Sequence, residues 1–302
     1  MMRILVTDGM DQQAVSQLRA NGHEVVEQFY EPDQLGAALR EFDAVVIRSA
    51  TKIRAPHIEQ AKGSRLKLII RAGVGIDNID VADAEAAGIA VRNTPGASSA
   101  AVAELALAHM FSCARYVSIA GHTMREGKWE KKAYSKGVEI CGKTLGIWGY
   151  GRIGMALARM AHGLGMTVLV NNRSGKTAGP DDPAKWVPVD ELLAQADFIS
   201  LNMPSIEAKP LINRESIAKM KDGVILINTS RGSNIDEDAL LDALNSGKVR
   251  AAGLDVYAEE PTKNEALYQH PAVSCTPHIG AGTREAQGRI GMEIVEIIES
   301  FG

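Results

Sequence analysis

The sequence has few aromatic residues, no long uninterrupted apolar run and no large net charge. Aromatic residues make up 5% of the 302 residues and the formal net charge is -4, so neither stacking platforms nor a basic surface favours nucleic acid as a partner. The longest apolar stretch, 100–120, contains Glu104, His109 and Arg115 and is too polar to span a bilayer. We therefore expect neither a nucleic-acid nor a membrane partner, and a buried helix across this stretch.

Cysteine is also scarce. Cys113, Cys141 and Cys275 are odd in number and form no C-x-x-C pair, which argues against a disulfide framework and against a zinc site. The N-terminal MMRILVTDGM leads directly into a strand pattern without an apolar signal region. We therefore expect no metal, no export signal and a reducing, cytoplasmic location.

Short β-branched runs alternate with helix-compatible segments in two series. The first series contains RILVTD, HEVVEQF, DAVVIRS, LKLIIRAG and IAVRNT, and the second begins at Thr144 with TLGIWG and ends with AVSCTPH. Apolar strands that alternate with helices predict parallel sheets covered on both faces. A helix is expected from Ser98 to about Met124, and the helical pattern of the last residues could return to the first sheet. The predicted fold is α/β with two doubly wound domains, 1–97 plus 281–302, and 98–280.

GIWGYGRIGMALARM contains Gly149, Gly151 and Gly154 as G-x-G-x-x-G between a strand and a helix. The first glycine permits a tight turn, the second lets a pyrophosphate approach the backbone, and the third allows the helix to pack closely on the sheet. Because the strand, the helix and a second strand follow in the expected order, the motif predicts a dinucleotide site.

The second strand of this unit ends in Asn171, Asn172, Arg173 and Ser174, where dinucleotide-binding proteins that use NAD usually carry an acid. A neutral amide followed by a guanidinium and a hydroxyl can accept a 2′-phosphate, which favours NADP. In the alternative interpretation, Asn172 bonds the ribose of NAD and Arg173 is a solvated loop residue.

Three polar residues lie at or just after the ends of late strands, where open α/β sheets present their sites. Arg231 follows VILINTS, Glu260 follows LDVYAE and His278 closes AVSCTPH. An arginine can bind a substrate carboxylate, a histidine can donate a proton to a carbonyl oxygen, and a carboxylate can orient that histidine. Together they predict reduction of a 2-keto acid or oxidation of the matching hydroxy acid.

The blocks NTSRGSNIDEDALLDAL, LDVYAEEP and TPHIGAGTREAQ resemble the three conserved blocks of the D-isomer-specific 2-hydroxyacid dehydrogenases. In that family the catalytic arginine, glutamate and histidine fall on Arg231, Glu260 and His278. The similarity extends through IRSATKI, RAGVGIDNIDV and RNTPGASSAAVAELAL to nearly the whole chain, and within the family it is greatest to the 3-phosphoglycerate dehydrogenases.

This resemblance implies a flavodoxin-like substrate domain, a Rossmann cofactor domain, an active site in the cleft between them, and a homodimer formed through the Ser98–Met124 region of the cofactor domain. The expected cofactor contacts, besides the glycine loop and Asn172, Arg173 and Ser174, are Val74, Arg152, Ile153, Met203, Thr229, Ser230, Asp255 and Gly280. The expected substrate contacts are Arg48, Ser49, Lys52, Val74 and Gly75. Lys131 or Lys132 of a partner subunit could assist at a substrate phosphate; in the alternative interpretation these two lysines are only surface charge.

The sequence departs from the family pattern at the ribose acid, replaced by Asn172, and at a histidine, replaced by Asn202. It ends at Gly302, so we expect no C-terminal regulatory domain. The predicted activity is oxidation of 3-phosphoglycerate to 3-phosphohydroxypyruvate, the first step of serine biosynthesis. The alternatives are an NADPH-dependent glyoxylate or hydroxypyruvate reductase and, from a different class, a nucleotide-sensing protein that resembles the corepressors of this fold.

Overall fold

The computed structural model describes residues 1–205 and 209–301. Its contacts divide the chain into two compact units, Met1–Ser98 with Ala281–Gly302, and Ser99–Gly280. The division lies one residue from the boundary expected at 97/98. Within the described residues, no helix is both long and apolar enough to cross a membrane.

The first unit is built on a parallel sheet of five strands in the order β2-β1-β3-β4-β5. The strands are β1 Arg3–Val6, β2 Glu24–Glu27, β3 Ala44–Ile47, β4 Leu68–Arg71 and β5 Ala90–Asn93. This order is that of flavodoxin-like sheets, as the resemblance to the family implied. Strands β3 and β4 are almost entirely buried, because helices cover both faces of the sheet.

The helices of the first unit are α1 Gln12–Ala20, α2 Pro32–Leu39, α3 Ala55–Ala61, α4 Val81–Ala86 and the C-terminal helix α12 Arg284–Phe301. Asp11 begins α1 as its N-cap, since its Oδ1 accepts from the backbone N–H groups of Gln13 and Ala14. The last helix packs against α1, and a Cβ at Gly291 would lie 2.7 Å from that of Ala14. The end of the chain therefore completes the core of the first unit.

The second unit is built on a parallel sheet of seven strands in the order β12-β11-β10-β9-β6-β7-β8. The strands are β6 Thr144–Trp148, β7 Thr167–Asn171, β8 Ala184–Trp186, β9 Phe198–Leu201, β10 Val224–Asn228, β11 Val249–Leu254 and β12 Val273–Cys275. This is the Rossmann order with one strand added beyond the sixth. The short edge strand β8 was not predicted. The strand order reverses between β6 and β9, so the carboxyl ends of these strands form the point where such sheets bind nucleotides.

The helices of the second unit are α5 Ser99–Arg115, α6 Val117–Arg125, α7 Arg152–Gly163, α8 Val189–Gln195, α9 Arg214–Ala218, α10 Glu237–Ser246 and α11 Glu265–Tyr268, with a 3₁₀ turn at Gly232–Asn234. The prediction of one helix from Ser98 to Met124 was wrong, because the helix breaks at Tyr116, which has a φ of 59°. The Tyr116 hydroxyl accepts a hydrogen bond from Arg250 at 2.7 Å, and the ring lies 5.8 Å from that of Tyr134. Tertiary contacts therefore stabilise a break that local sequence does not reveal.

Candidate active site

The glycine loop connects β6 to α7. Gly149 has a φ of 106°, and a Cβ there would lie 2.5 Å from the carbonyl oxygen of Asn202 and from Cγ of Met203. A Cβ at Gly154 would lie 2.4 Å from the carbonyl oxygen of Gly149, whereas one at Gly151 would meet open space. The first and third glycines are thus required for packing, while the second leaves the backbone open to a ligand.

Helix α7 presents its N-terminus at this loop. Its N-cap, Gly151, makes no side-chain cap, and the first turn carries no acidic residue. The N–H groups of this turn, including those of Arg152 and Ile153, and the positive end of the helix dipole suit a pyrophosphate. The N-terminus of α7 therefore fits the dinucleotide that the sequence predicts.

The loop after β7 uses Asn172 to fix its own shape. The Asn172 amide donates to the carbonyl of Lys176 at 2.8 Å, and its Oδ1 accepts from Ser174 Oγ at 3.1 Å and from the Lys176 N–H at 3.3 Å. Arg173, Ser174 and Lys176 are exposed. The amide of Asn172 is therefore engaged within the loop, while the cationic side chains of Arg173 and Lys176 are exposed.

His278 and Glu260 form a close pair. His278 Nδ1 lies 2.7 Å from Glu260 Oε2, and the side chains are 33% and 36% exposed. Burial raises the pKa of Glu260, but the hydrogen bond and charge of His278 outweigh it, and the pKa of Glu260 falls below its usual value. An ionised carboxylate thus accepts from Nδ1, which leaves Nε2 as the nitrogen that can exchange a proton with a substrate.

Arg231 lies on the loop that follows β10. Its guanidinium donates to the carbonyl of Ser230 at 2.7 Å, its own carbonyl accepts from Asn228 at 2.8 Å, and its charge contributes to the lowered pKa of Glu260. A Cβ at Gly232 would lie 1.9 Å from the backbone of Tyr257, so only glycine allows the two loops to pack together. This packing gathers the loops of Arg231 and Glu260 at the same edge of the sheet.

Thr229 and Ser230 begin the same loop. Ser230 Oγ donates to Asn228 Oδ1 at 2.7 Å, which orders the turn. Thr229 is buried, and within the described chain its hydroxyl has no hydrogen-bond partner. A buried orphan hydroxyl at a strand end is costly unless a ligand bonds to it, so Thr229 fits a cofactor contact.

The carboxylate of Asp255 is 1% exposed and accepts several hydrogen bonds from its own unit. Its Oδ1 accepts from Thr276 Oγ1 at 2.6 Å and from the Ile279 N–H at 2.8 Å, and its Oδ2 accepts from the Gly280 N–H at 2.8 Å. The structure therefore gives Asp255 and Gly280, expected as cofactor contacts, a role in holding the turn that carries His278.

The predicted substrate residues of the first unit lie on loops after β3 and β4. Asp8 accepts from the N–H of Arg48 at 2.6 Å and from that of Thr51 at 3.1 Å, while Asn78 donates at 2.7 Å to the carbonyls of the same two residues. These bonds fix the loop that includes Ser49 and Lys52, and Lys52 is exposed. Two further residues, Val74 and Gly75, follow β4, and the carbonyl of Val74 accepts from Asn93 at 2.6 Å.

The model of the NAD-binding domain of D-isomer-specific 2-hydroxyacid dehydrogenases matches residues 107–280, which are more than half of the chain. The chain belongs to this family. The dehydrogenase is 49% identical over 302 residues to a hydroxypyruvate reductase of Thermotoga maritima, with 98% of this chain and 97% of the relative covered. It is 42% identical over 301 residues to a D-3-phosphoglycerate dehydrogenase of Archaeoglobus fulgidus, with 98% and 56% covered.

Among solved structures, the dehydrogenase matches a glyoxylate reductase from Paecilomyes thermophila at 34% identity and a TM-score of 0.88, with 99% of this chain and 94% of that chain covered. The two parallel-sheet α/β domains are those of its family, and the chain is an oxidoreductase with a nicotinamide cofactor. It spans about half the length of the phosphoglycerate dehydrogenases it matches, such as 56% of the Archaeoglobus fulgidus protein.

Sequence reasoning missed several residues that shape the dehydrogenase's site. The expectation for the ribose loop omitted Lys176, although it lies in the same RSGK segment. Two hydroxyl residues, Ser274 and Thr276, passed unnoticed, and His109 drew attention only as a polar interruption of an apolar helix. A histidine in the run AELALAHMF was the available signal, but nothing in the sequence indicates its partners.

Proposed function

We propose that this dehydrogenase interconverts 3-phosphoglycerate and 3-phosphohydroxypyruvate, the entry to serine biosynthesis. The observation that carries the proposal is the pair of His278 Nδ1 and Glu260 Oε2 at 2.7 Å, on the same sheet as the glycine loop. A histidine held by a carboxylate beside a nucleotide site is the arrangement that reversible reduction of a carbonyl requires. The family and the many relatives named D-3-phosphoglycerate dehydrogenase support it.

In the proposed reaction each residue has a separate task. The Arg231 guanidinium binds the substrate carboxylate through two parallel hydrogen bonds. His278 donates the proton from Nε2 to the carbonyl oxygen and recovers it in the reverse direction. Glu260 accepts a hydrogen bond from Nδ1 and so holds the ring in place. A nicotinamide nucleotide held at the glycine loop and the N-terminus of α7 would supply or accept the hydride.

NADP is the proposed nucleotide. The exposed side chains of Arg173, Ser174 and Lys176 provide two cations and a hydroxyl for a 2′-phosphate. Position 172 carries Asn instead of the acid that is usual in NAD-binding proteins. Comparison of kcat/KM for NADPH and NADH tests this assignment. A preference for NADH would overturn it.

The proposed phosphate contacts are Arg48 and Lys52, on the loop fixed by Asp8 and Asn78, with Ser49 between them. The substrate carboxylate would also meet the backbone at Val74 and Gly75, and Lys131 or Lys132 of a partner subunit could assist at the phosphate. The alternative substrates are hydroxypyruvate and glyoxylate. One observation favours them, since the hydroxypyruvate reductase of Thermotoga maritima is matched over 97% of its length.

Rates with the three keto acids distinguish the candidates. We expect the highest kcat/KM with phosphohydroxypyruvate, and faster turnover of hydroxypyruvate or glyoxylate would contradict the proposal. Arg48→Gln should raise KM for phosphohydroxypyruvate about tenfold and leave KM for hydroxypyruvate unchanged, because a charge-assisted hydrogen bond is worth about 1.5–3 kcal/mol. Lys62→Gln, which removes an exposed cation that pairs with the exposed Glu59, is the matched control.

We further propose a homodimer formed through the cofactor domain. The segment from α5 to the loop after α6 exposes several large apolar side chains, namely Phe111, Val117, Met124 and Trp129, with exposures of 40%, 60%, 58% and 79%. Such a patch is typical of a protein–protein interface. Light scattering should give the mass of a dimer for the native chain and a monomer for Val117→Lys, and a monomeric native chain would contradict the proposal.

A cytoplasmic location completes the proposal. Cys113, Cys141 and Cys275 are all free thiols, which suits a reducing compartment. Cell fractionation should recover the protein with cytoplasmic markers.

A further inference from the structure

A buried histidine lies on α5, away from the pair that carries the chemistry. His109 is 2% exposed, with Nδ1 3.0 Å from Ser274 Oγ and Nε2 2.9 Å from Thr276 Oγ1. Burial lowers the pKa of His109, and the charge of Asp255 opposes this only in part. The ring is therefore neutral near pH 7 and carries a single proton.

The hydrogen-bond partners fix which nitrogen carries that proton. Asp255 Oδ1 accepts from the backbone N–H of Ile279, so it is also the acceptor of the 2.6 Å bond from Thr276 Oγ1. Having donated its one proton, the Thr276 hydroxyl can only accept from His109. Nε2 of His109 is thus protonated and Nδ1 accepts from Ser274. The bonds run in one direction, from Ser274 through His109 and Thr276 to Asp255.

This chain of bonds ends at the turn that carries His278. Asp255 accepts from the N–H groups of Ile279 and Gly280 through its carboxylate, and from that of His278 through its backbone carbonyl, each at 2.8 Å. His278 has a φ of 54°, in the left-handed region. A non-glycine residue there costs on the order of 1–3 kcal/mol and persists only where its surroundings hold it. Asp255 provides that support.

The side chain of His109 packs directly against the backbone of Gly253. A Cβ at Gly253, the second-to-last residue of β11, would lie 2.5 Å from Cβ and 2.9 Å from Cγ of His109. The strand therefore has to carry glycine at this position for the ring to reach Thr276. Because glycine weakens a strand interior, its presence here marks a close approach.

We infer that His109 is a positioning residue for His278, acting through Thr276 and Asp255. The donor on Nε2 orients the Thr276 hydroxyl, the hydroxyl orients the Asp255 carboxylate, and the carboxylate holds the turn in the conformation that pairs the His278 ring with Glu260. The inference rests on the proposed role of His278 as the proton donor. His109 itself is 2% exposed, and the proposed role is exerted through these two side chains.

Two amide substitutions at His109 separate its two hydrogen bonds. The Gln side chain in His109→Gln can place its amide near the Nε2 position and donate to Thr276, whereas the shorter side chain in His109→Asn reaches only toward Ser274. His109→Asn should lower kcat for 2-keto acid reduction about tenfold or more, since small misplacements of reacting groups have effects of about this size or larger. His109→Gln should stay within about threefold of the native kcat, and KM for the nucleotide should change in neither variant.

Two substitutions at Thr276 test the inference independently if a His109 variant fails to fold. Thr276→Val removes the hydroxyl and should lower kcat as His109→Asn does, while Thr276→Ser retains it and should restore turnover. Leu193→Ala, which truncates a buried side chain of α8, controls for lost stability. It should lower the melting temperature without changing kcat.

Hydrogen exchange provides a readout that needs no activity. The amides of Ile279 and Gly280 should exchange faster in His109→Asn and Thr276→Val than in the native protein, and at the native rate in His109→Gln and Thr276→Ser. If the native chain reduced no 2-keto acid, the proposed function would fail while the exchange rates still decided the inference. Equal kcat in the two His109 variants, or unchanged exchange in Thr276→Val, overturns it.

Discussion

The turn that carries His278 and the loop that carries Arg173 are held in different ways. The turn is bonded through Asp255, which is 1% exposed, to side chains on α5 and after β12. The loop is largely exposed and relies on the hydrogen bonds that Asn172 and Asp182 make within it, and on a bond from Tyr150 to Asp182 at 2.6 Å. The turn is therefore fixed by the core of the unit, and the loop largely by its own sequence.

In the proposed function, this difference separates the proton transfer at His278 from the choice of nucleotide at the loop of Arg173. A proton donor must be held within a fraction of an ångström, which a buried network provides. Recognition of a phosphate by flexible cations tolerates a looser frame. Substitutions in the loop should therefore change which nucleotide binds and leave the proton transfer intact. Substitutions at the turn should slow the proton transfer and leave the choice of nucleotide unchanged.

The largest expected effect follows from removing the proposed proton donor, His278. His278→Ala should lower kcat by about 10²–10⁴, the usual contribution of general acid–base catalysis, and leave the dissociation constant of the nucleotide unchanged. Stopped-flow reduction and fluorescence titration measure the two quantities. His162→Ala, at an exposed histidine, is the control. A decrease in kcat of less than tenfold would remove His278 from the proposed role.

Arg231→Lys should have the next largest effect. An ammonium cannot reproduce two parallel hydrogen bonds to a carboxylate, so KM for the keto acid should rise about tenfold to a hundredfold, equivalent to about 1.5–3 kcal/mol. Steady-state kinetics with saturating nucleotide measure it. Unchanged kinetics would mean that Arg231 does not bind the substrate.

The loop should respond in nucleotide preference alone. Arg173→Ala should lower the ratio of kcat/KM for NADPH to that for NADH about tenfold, the value of about 1.4 kcal/mol of lost interaction. Asn172→Asp should shift preference further toward NADH, because it introduces a carboxylate that repels a 2′-phosphate and can bond a ribose hydroxyl. Lys185→Ala on β8 is the control, and a ratio that stayed constant in Arg173→Ala would separate the loop from the ribose.

The smallest expected effect is a pH dependence of stability in both regions. Burial raises the pKa of Glu260, but the hydrogen bond and charge of His278 outweigh burial, so this pKa is lowered. The pKa of Asp182 is lowered in the same way, because hydrogen bonds from Tyr150 and from the backbone outweigh burial. A carboxyl group whose pKa is lower in the folded than in the unfolded state stabilises the fold at pH values above its unfolded-state pKa. This stabilisation disappears as the pH falls through the folded-state pKa. Urea unfolding should show Glu260→Gln and Asp182→Asn less stable than the native chain at pH 7 and converging with it below about pH 4. Differences that did not vary with pH would contradict this.

The parts of the site that were predictable from sequence are those with local patterns. Gly149 and Gly154 are fixed by a strand–turn–helix motif, and the family blocks around Arg231 and His278 extend over many residues. The parallel sheets also followed from alternating strands and helices, and the resemblance to the family implied their flavodoxin-like and Rossmann architectures. In these segments the local preference and the tertiary fold agree.

The rest depended on contacts between distant segments. The partners of His109 lie 165 and 167 residues away along the chain, and no local pattern encodes them. The break at Tyr116 depends on Arg250, and the three-residue strand β8 is too short to show a periodicity. Asn172 remains a predicted ribose contact, and the sequence did not indicate that its amide also bonds its own loop, a preference that asparagine shows in turns.

A double-mutant cycle between Thr276→Val and Arg173→Ala tests the independence of the two regions most directly. The measurement is kcat/KM for NADPH at saturating keto acid in the native chain, both single variants and the double variant. If the turn and the loop act separately, the two changes in activation free energy add within about 0.5 kcal/mol. A coupling energy above about 1 kcal/mol would contradict the account, because it would place nucleotide recognition and the proton donor in one network.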